Sequence, residues 1–315
     1  MKLKDIFEKH GGTKLIQQYR KGGALGTAIC EFLLLGKSRT GLEILREAAQ
    51  LKVKQKLERK YRNVLSDFDQ HYNDSETHYS SKKVWICWFQ GLEMAPKIVK
   101  KCVSSIKKNL PSKEIIIITD ENIDQYVSFP DYIMEKFNSG LITKTHMTDL
   151  LRLELLTKYG GTWIDATVYC TQTEDTIPSY FFNSDLFFFQ CLKPGRDAHS
   201  NYMSSWYINA KSHNKMLEAT KCLCYEYWKT NDQLIDYFLL HDFMSIVLDY
   251  YPDDWNKIIP RDNATPHELL LRIFNSYDDD VWNAIIQQTP FHKLSYKFTE
   301  GQMELENTFY KRIVE

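Results

Sequence analysis

The chain has 315 residues, a hydrophobic content of 43% and a formal net charge of −1. This length is enough for one or two hydrophobic cores, and the near-neutral balance argues against bulk nucleic-acid binding. No apolar run reaches the length of a membrane span, and the N-terminus lacks the apolar segment of a signal peptide. The seven cysteines are odd in number and include no C-x-x-C pair, which predicts a reducing, cytoplasmic setting.

Positive charge is concentrated near the start of the chain. Residues 1–62 contain 15 Lys and Arg against 6 Asp and Glu, an excess of nine positive charges. Leu42, Leu45, Ala49 and Val53 recur at three- and four-residue steps, so they form one apolar face of a helix. Two hypotheses follow for this segment. It attaches peripherally to an anionic membrane surface, or it is a helical arm packed on the rest of the protein.

The element pattern predicts an α/β domain with helical additions. Residues 1–80 are predicted as a basic helical extension and residues 81–315 as the main domain. Within that domain, residues 81–200 form an α/β part and residues 201–315 a mainly helical part. The acidic run at 278–280 is predicted as a solvated turn. The predicted strands are 84–89, 114–119, the stretch ending at Asp165, 186–190 and 291–298, and the predicted helices after residue 200 are 212–229, 234–250 and 266–275.

The most informative segment is a helix-like stretch, a glycine pair and a short strand, within residues 143–171. Asp149 and Arg152 are three residues apart, so they share a helix face. Gly160 suits the residue that ends a helix, and Asp165 follows a short apolar strand. Open α/β sheets bind ligands at the carboxyl ends of their strands. This order therefore predicts that the two aspartates and the arginine converge on one site.

This segment resembles the sugar-donor signature of glycosyltransferase family 32 and the related capsular polysaccharide synthesis proteins. It resembles the glucosylating bacterial toxins more distantly. The family pattern is Ser/Thr-Asp, two residues, Arg, a Leu-rich turn, Tyr-Gly-Gly, an aromatic residue and Asp-x-Asp. The chain departs from the pattern at Thr167, where the family has the second Asp. The matching residues are Thr148, Asp149, Arg152, Tyr159, Gly160, Gly161, Trp163 and Asp165.

The resemblance implies a GT-A-type α/β fold whose sheet binds a nucleotide sugar. It implies a retaining hexosyltransferase that moves a sugar, expected to be UDP-linked, onto a growing capsular or other surface glycan, free or lipid-linked. Asp165 is then the catalytic, metal-linked carboxylate, because Mg²⁺ or Mn²⁺ would neutralise the departing diphosphate. Thr167 keeps an oxygen for the metal or the donor but removes one negative charge.

Further residues are predicted to bind the donor. Asp149 would accept hydrogen bonds from sugar hydroxyls, and Arg152 would hold phosphate through its planar fork of donors. Trp88 and Gln90 end the first strand, where this fold family receives the nucleotide base. Gly161 would permit a close approach of the backbone. The alternative for Asp149 and Arg152 is a solvent-exposed ion pair, which contributes little stability.

The region after residue 200 supplies two more predictions. His241, on a predicted helix, is the candidate for the metal ligand that Thr167 does not provide. Asn201 and the segment Ser204-Ser205-Trp206 resemble the acceptor-side segment of the capsular enzymes.

Two other classes of protein stay open on the sequence. A non-catalytic sugar-nucleotide-binding protein is compatible with Thr167, since the second aspartate is missing. A phosphatase of the haloacid dehalogenase type also uses an Asp-x-Asp/Thr-like stretch after a strand. That class needs its nucleophilic Asp on an early strand, whereas Asp165 follows two others. Release of a nucleoside diphosphate from a nucleotide sugar distinguishes the three classes.

Overall fold

A computed structural model of the chain describes residues 12–73, 78–192 and 200–315. The strands are β1 (Lys83–Cys87), β2 (Glu114–Ile118), β3 (Gly161–Ile164), β4 (Val168–Cys170), β5 (Leu186–Gln190), β6 (Met203–Ala210) and β7 (Phe291–Lys293). A mixed five-stranded sheet has the order β2-β1-β3-β6-β5. In it, β1 is parallel to β2 and β3, and β6 is antiparallel to β3 and β5. A second, antiparallel sheet pairs β4 with β7.

Helices occupy both faces of the central sheet, whose strands alternate their side chains between two cores. Trp85 belongs to one core, while its neighbours Val84 and Ile86 belong to the other. The helices are α1 (Gly12–Gly22), α2 (Leu25–Leu35), α3 (Arg39–His71), α4 (Lys97–Asn109), α5 (Asp131–Asn138), α6 (Lys144–Tyr159), α7 (Tyr180–Asn183), α8 (Lys215–Thr230), α9 (Leu239–Tyr250), α10 (Pro252–Trp255), α11 (Glu268–Leu271), α12 (Asp279–Gln288), α13 (Glu300–Met303) and α14 (Phe309–Val314).

The α/β fold class with helical N- and C-terminal parts is confirmed, and so are most of the predicted strands. The stretches 84–89, 114–119 and 186–190 form β1, β2 and β5, with ends that differ by one or two residues. Strand β6 was not expected, because polar residues interrupt its apolar pattern although all eight of its residues are buried. The predicted strand at 291–298 ends at Lys293.

Three predictions for the C-terminal part are corrected. The acidic run is exposed, as predicted, but it begins a helix and is not a turn: the Asp278 side chain accepts a hydrogen bond from the Val281 N–H at 2.9 Å and so caps α12. The predicted helix at 266–275 is a short 3-10 turn followed by α11. The predicted helix at 234–250 begins at Leu239.

Helix α3 packs into the main core. Its residues Ala49 and Val53 are buried in the same cluster as the apolar faces of α8 and α9, and Leu45 is also buried. Lys54 is buried as well, with Nζ 2.7 Å from Asp249 Oδ2. The apolar stripe that predicted a membrane contact therefore lies inside the protein, as the packed-arm hypothesis requires.

The glycine pair between α6 and β3 is required by backbone packing. Gly160 and Gly161 have φ angles of 64° and 96°, in the region that favours glycine. A Cβ atom on Gly161 would lie 2.4 Å from the Lys83 carbonyl oxygen of β1, and one on Gly160 would lie 2.7 Å from Ser212 N. The pair thus lets β3 enter the sheet directly beside β1 after a sharp end to the helix.

Candidate functional site

Asp165 immediately follows β3 and is held by three side chains. Its Oδ1 accepts a hydrogen bond from Trp163 Nε1 at 2.9 Å and lies 3.5 Å from Arg152 Nη2. Its Oδ2 lies 3.0 Å from Lys293 Nζ. Burial alone would raise the pKa of Asp165, but Lys293 and Arg152 outweigh burial and hold the pKa below its usual value. The carboxylate is therefore ionised at neutral pH.

Asp149 and Arg152 form a buried pair on α6, so the solvent-exposed alternative does not hold. They expose 6% and 5% of their surfaces, and Arg152 Nη1 lies 3.1 Å from Asp149 Oδ1. Burial would raise the pKa of Asp149, but Arg152 and His146 outweigh it and lower the pKa. His146 Nδ1 lies 3.4 Å from Asp149 Oδ2, and its Nε2 accepts a hydrogen bond from Trp228 Nε1 at 2.8 Å.

The guanidinium of Arg152 has unused hydrogen-bonding capacity. Its contact with Asp149 is close but poorly aligned. Among the residues that the structure describes, Nε and Nη1 are therefore buried donors without an acceptor. The guanidinium also lies 4.9 Å from the centre of the Trp163 ring. Since buried donors in proteins nearly always have acceptors, this arrangement favours an anionic or oxygen-rich ligand at Arg152.

Arg152 and Asp165 lie in a cleft that has two sides. One side, which we call the strand-end half, has a volume of about 620 Å³. Arg152, Asp165 and Lys293 border it and the other side of the cleft alike. Of the two tryptophans of the first predicted strand, Trp85 is fully buried, and the half-buried Trp88 meets Tyr296 edge to face at 5.2 Å. The strand-end half is otherwise lined by residues that include Trp88, Gln90, Thr148, Thr167 and Tyr296.

The other side, which we call the α3 half, has a volume of about 750 Å³. Ser200 ties two of its α3 residues to the segment before β6: its N–H donates to Glu47 and its hydroxyl to Gln50. His241 lines this half, and burial lowers its pKa to about 4, so the ring is neutral at pH 7. The α3 half is lined by residues that include Glu43, Arg46, Glu47, Gln50, Asn201, Ser204, Ser205 and His241.

The residues present fit a divalent cation poorly. Thr167 and His241 line different halves, and Thr167 Oγ1 already accepts a hydrogen bond from Lys293 Nζ at 2.5 Å. A cation at Asp165 would face Lys293 and Arg152, and each pair of unit charges at 4 Å repels by about 4 kcal/mol at an effective dielectric constant of 20. Across residues 12–73, 78–192 and 200–315, no three His, Cys, Asp or Glu residues are grouped to hold a metal. Mg²⁺ or Mn²⁺ stays a prediction that this donor set does not support.

The structure brings most of the predicted residues to the cleft and leaves one outside it. Gly161 lies at the start of β3, away from Asp165, and packs against Lys83 instead of lining either half. Lys293 was missed, because nothing in its local sequence distinguishes it from a surface lysine. Only the pairing of β7 with β4, next to the Asp165 motif, places it there.

Known proteins with similar sequences are glycosyltransferases by name. Glycosyltransferase afumC of Aspergillus fumigatus is 26% identical over 126 residues, which are 36% of this chain and 31% of that protein. O-glycosyltransferase braB of Annulohypoxylon truncatum is 31% identical over 96 residues, which are 28% of this chain and 23% of that protein. The chain thus matches less than a third of the length of these two relatives.

The solved structure of PaToxG glycosyltransferase is similar at a TM-score of 0.38 and 16% identity, over 81% of this chain and 97% of that chain. The profile of the capsular polysaccharide synthesis proteins matches residues 39–313, which include α3, the whole cleft and β7. This chain belongs to the capsular polysaccharide synthesis protein family.

Proposed function

We propose that this protein is a glycosyltransferase that moves a sugar from a nucleotide donor to a glycan acceptor. The observation that carries the proposal is Arg152, whose buried Nε and Nη1 have no acceptor among the described residues, beside a cleft that Asp165 and Lys293 also border. A diphosphate supplies the oxygens that such a guanidinium binds in pairs. Family membership and the names of the two relatives point to the same reaction.

The donor occupies the strand-end half in this proposal, with UDP as the expected nucleotide. Trp88 offers a ring face to the base, and Gln90 and Thr167 offer hydrogen bonds. Asp149 keeps the Arg152 guanidinium in place, and the ionised Asp165 keeps Lys293 beside it. Transfer then depends on positioning and on charge stabilisation of the leaving diphosphate. We propose retention of anomeric configuration, in a GT-A-type sheet, on the strength of the family signature.

The acceptor occupies the α3 half. Its wall carries carboxylate, amide and hydroxyl groups, which match the many hydroxyls of a glycan. A capsular or other surface polysaccharide is the proposed acceptor class. The neutral His241 ring offers a further hydrogen bond within this half.

The test incubates the purified protein with a panel of UDP-, GDP-, ADP- and CDP-sugars and measures release of the nucleoside diphosphate. Turnover of one donor is expected, and NMR of the product gives its anomeric configuration. Tight donor binding without turnover, even with glycan acceptors supplied, would instead identify a non-catalytic binding protein. Hydrolysis of a simple phosphomonoester would identify the phosphatase.

We also propose a peripheral membrane contact, now placed on α2 instead of the buried stripe of α3. Ile29, Leu33 and Leu34 expose 53%, 78% and 75% of their surfaces. Lys37 and Arg39 follow directly and supply attraction to an anionic leaflet. Across the described residues, none of the helices combines the length and apolar character that a bilayer crossing requires.

Co-sedimentation with phosphatidylserine vesicles tests this contact. Leu33→Ser with Leu34→Ser should reduce the bound fraction. Leu271→Ser is the matched control, because Leu271 is 80% exposed and lies on α11. Equal recovery of the wild-type protein in the supernatant with anionic and neutral vesicles at low salt would rule the contact out.

A further inference from the structure

Lys293 is placed by a backbone ladder instead of by a flexible loop. It ends β7, where it pairs with Val168 of β4, and the next N–H, that of Leu294, donates to the Thr167 carbonyl at 2.9 Å. Strand β4 begins three residues after Asp165. The backbone of Lys293 is thus fixed relative to the carboxylate, although the two residues are far apart in sequence.

The ammonium group of Lys293 is only partly used by the protein. It contacts Asp165 Oδ2 at 3.0 Å and donates to Thr167 Oγ1 at 2.5 Å. A lysine ammonium has three N–H groups. Within the part of the chain that the structure describes, two of them have partners, and the side chain retains 21% exposure where both halves of the cleft meet.

We propose that Lys293 is the cation of the donor site, occupying the position that a divalent metal would take beside the Asp165-Ala166-Thr167 motif. It binds the diphosphate together with Arg152, so donor binding and transfer need no divalent metal. This inference rests on the proposed glycosyltransferase function and adds to it the residue that replaces the metal.

Thr167 has a physical role in this assignment. Asp149 and Asp165 balance Arg152 and Lys293, so the four side chains carry no net charge. An aspartate at position 167 would make the group net negative and would repel a diphosphate unless a metal bound there. Threonine keeps an oxygen that holds the ammonium group and leaves its charge available to the ligand.

The transfer step is balanced without an external cofactor. The bond between the anomeric carbon and the phosphate oxygen breaks, and its electron pair stays on that oxygen. Lys293 and Arg152 stabilise the negative charge that develops there. The acceptor hydroxyl oxygen bonds to the anomeric carbon, and its proton passes to the departing phosphate oxygen.

Calorimetric titration with UDP, GDP, ADP and CDP tests the assignment, once in EDTA and once with Mn²⁺. At least one nucleotide should bind the wild-type protein equally well in both. Lys293→Met should weaken that binding about 10- to 100-fold, as expected for the loss of a charge-assisted hydrogen bond. Lys293→Arg should restore most of it. Lys257→Met is the control, because the Lys257 side chain is 74% exposed and pairs with Asp254.

The outcomes separate this inference from the proposed function. Nucleotide binding that requires Mn²⁺ overturns the role of Lys293 and leaves the glycosyltransferase proposal standing. Unchanged affinity in a folded Lys293→Met protein also overturns it. Absence of binding by all four nucleotides in both conditions overturns both proposals. If Lys293→Met does not fold, Lys293→Gln replaces it, and if that also fails, the EDTA titration of the wild-type protein decides alone.

Discussion

The two halves of the cleft are assembled in different ways. The strand-end half takes Thr148, Asp165 and Thr167 from one short segment and Trp88 and Gln90 from just after β1, and residues 293–297 are its distant contribution. The α3 half takes its wall from α3, from the start of β6 and from α9, segments that lie up to about 200 residues apart. Sites built from strand ends and an adjoining helix leave a local sequence pattern. Sites built where distant elements pack together leave none.

Removing the negative charge of Asp165, which borders both halves, should have the largest effect on turnover. Asp165→Asn keeps the size of the side chain but no longer holds Lys293 and Arg152 by charge. Turnover should fall about 10²- to 10³-fold, a typical loss for one stabilising group. Nucleoside diphosphate release is measured alongside thermal unfolding. Asp185→Asn is the control, since that side chain is 77% exposed. Near-normal turnover with unchanged thermal stability would remove Asp165 from the reaction.

Splitting the buried pair on α6 should damage the strand-end half and the fold together. Arg152→Met leaves Asp149 as a buried, unpaired charge and should cost about 3–5 kcal/mol of unfolding free energy. Arg152→Met with Asp149→Leu should recover much of that stability while donor affinity stays lost. Urea denaturation and donor titration separate the two effects. Normal donor affinity in the folded double variant would make the pair purely structural.

Single substitutions in each half should separate donor from acceptor. Trp88→Ala should weaken nucleotide binding by about 1–3 kcal/mol, typical for loss of an aromatic stacking partner, and leave the acceptor KM unchanged. Gln50→Ala should raise the acceptor KM and leave nucleotide affinity unchanged, because Gln50 lines only the α3 half. Steady-state kinetics with each substrate varied in turn would show that each variant affects only one substrate. Equal effects of both variants on both substrates would mean that the halves are not separate sites.

The smallest predicted effect is on the pH dependence of stability, through His292 in β7, the strand that also contains Lys293. His292 is buried in β7, and burial lowers its pKa to about 4. Between pH 6.5 and pH 4 the unfolded chain binds a proton that the folded protein excludes, so stability falls as the pH falls. His292 contributes at most about 3 kcal/mol to this fall. Urea denaturation at pH 7, 5.5 and 4.5 should show a shallower fall in His292→Gln than in the exposed control His71→Gln. Parallel curves would contradict the assignment.

The sequence predicted the strand-end half because its constraints are local. The glycine pair that ends α6, the i, i+3 pair on this helix and the apolar strand before Asp165 can each be recognised within a short stretch of sequence. It did not predict Lys293, which arrives through the pairing of β7 with β4. The contact of the buried His146 with Trp228 of α8 was likewise not predicted. Both contacts join elements that lie far apart in the chain.

The ladder between β4 and β7 has a consequence for the timing of assembly during synthesis. Asp165 and Lys293 are separated by 128 positions in the sequence. At about 5–20 residues per second, the ribosome adds that stretch in roughly 6–25 seconds. During this interval the nascent chain contains the whole signature segment but lacks the lysine. A ribosome-bound chain arrested before β7 would therefore contain the complete signature segment but lack the positive charge of Lys293 that balances its aspartates.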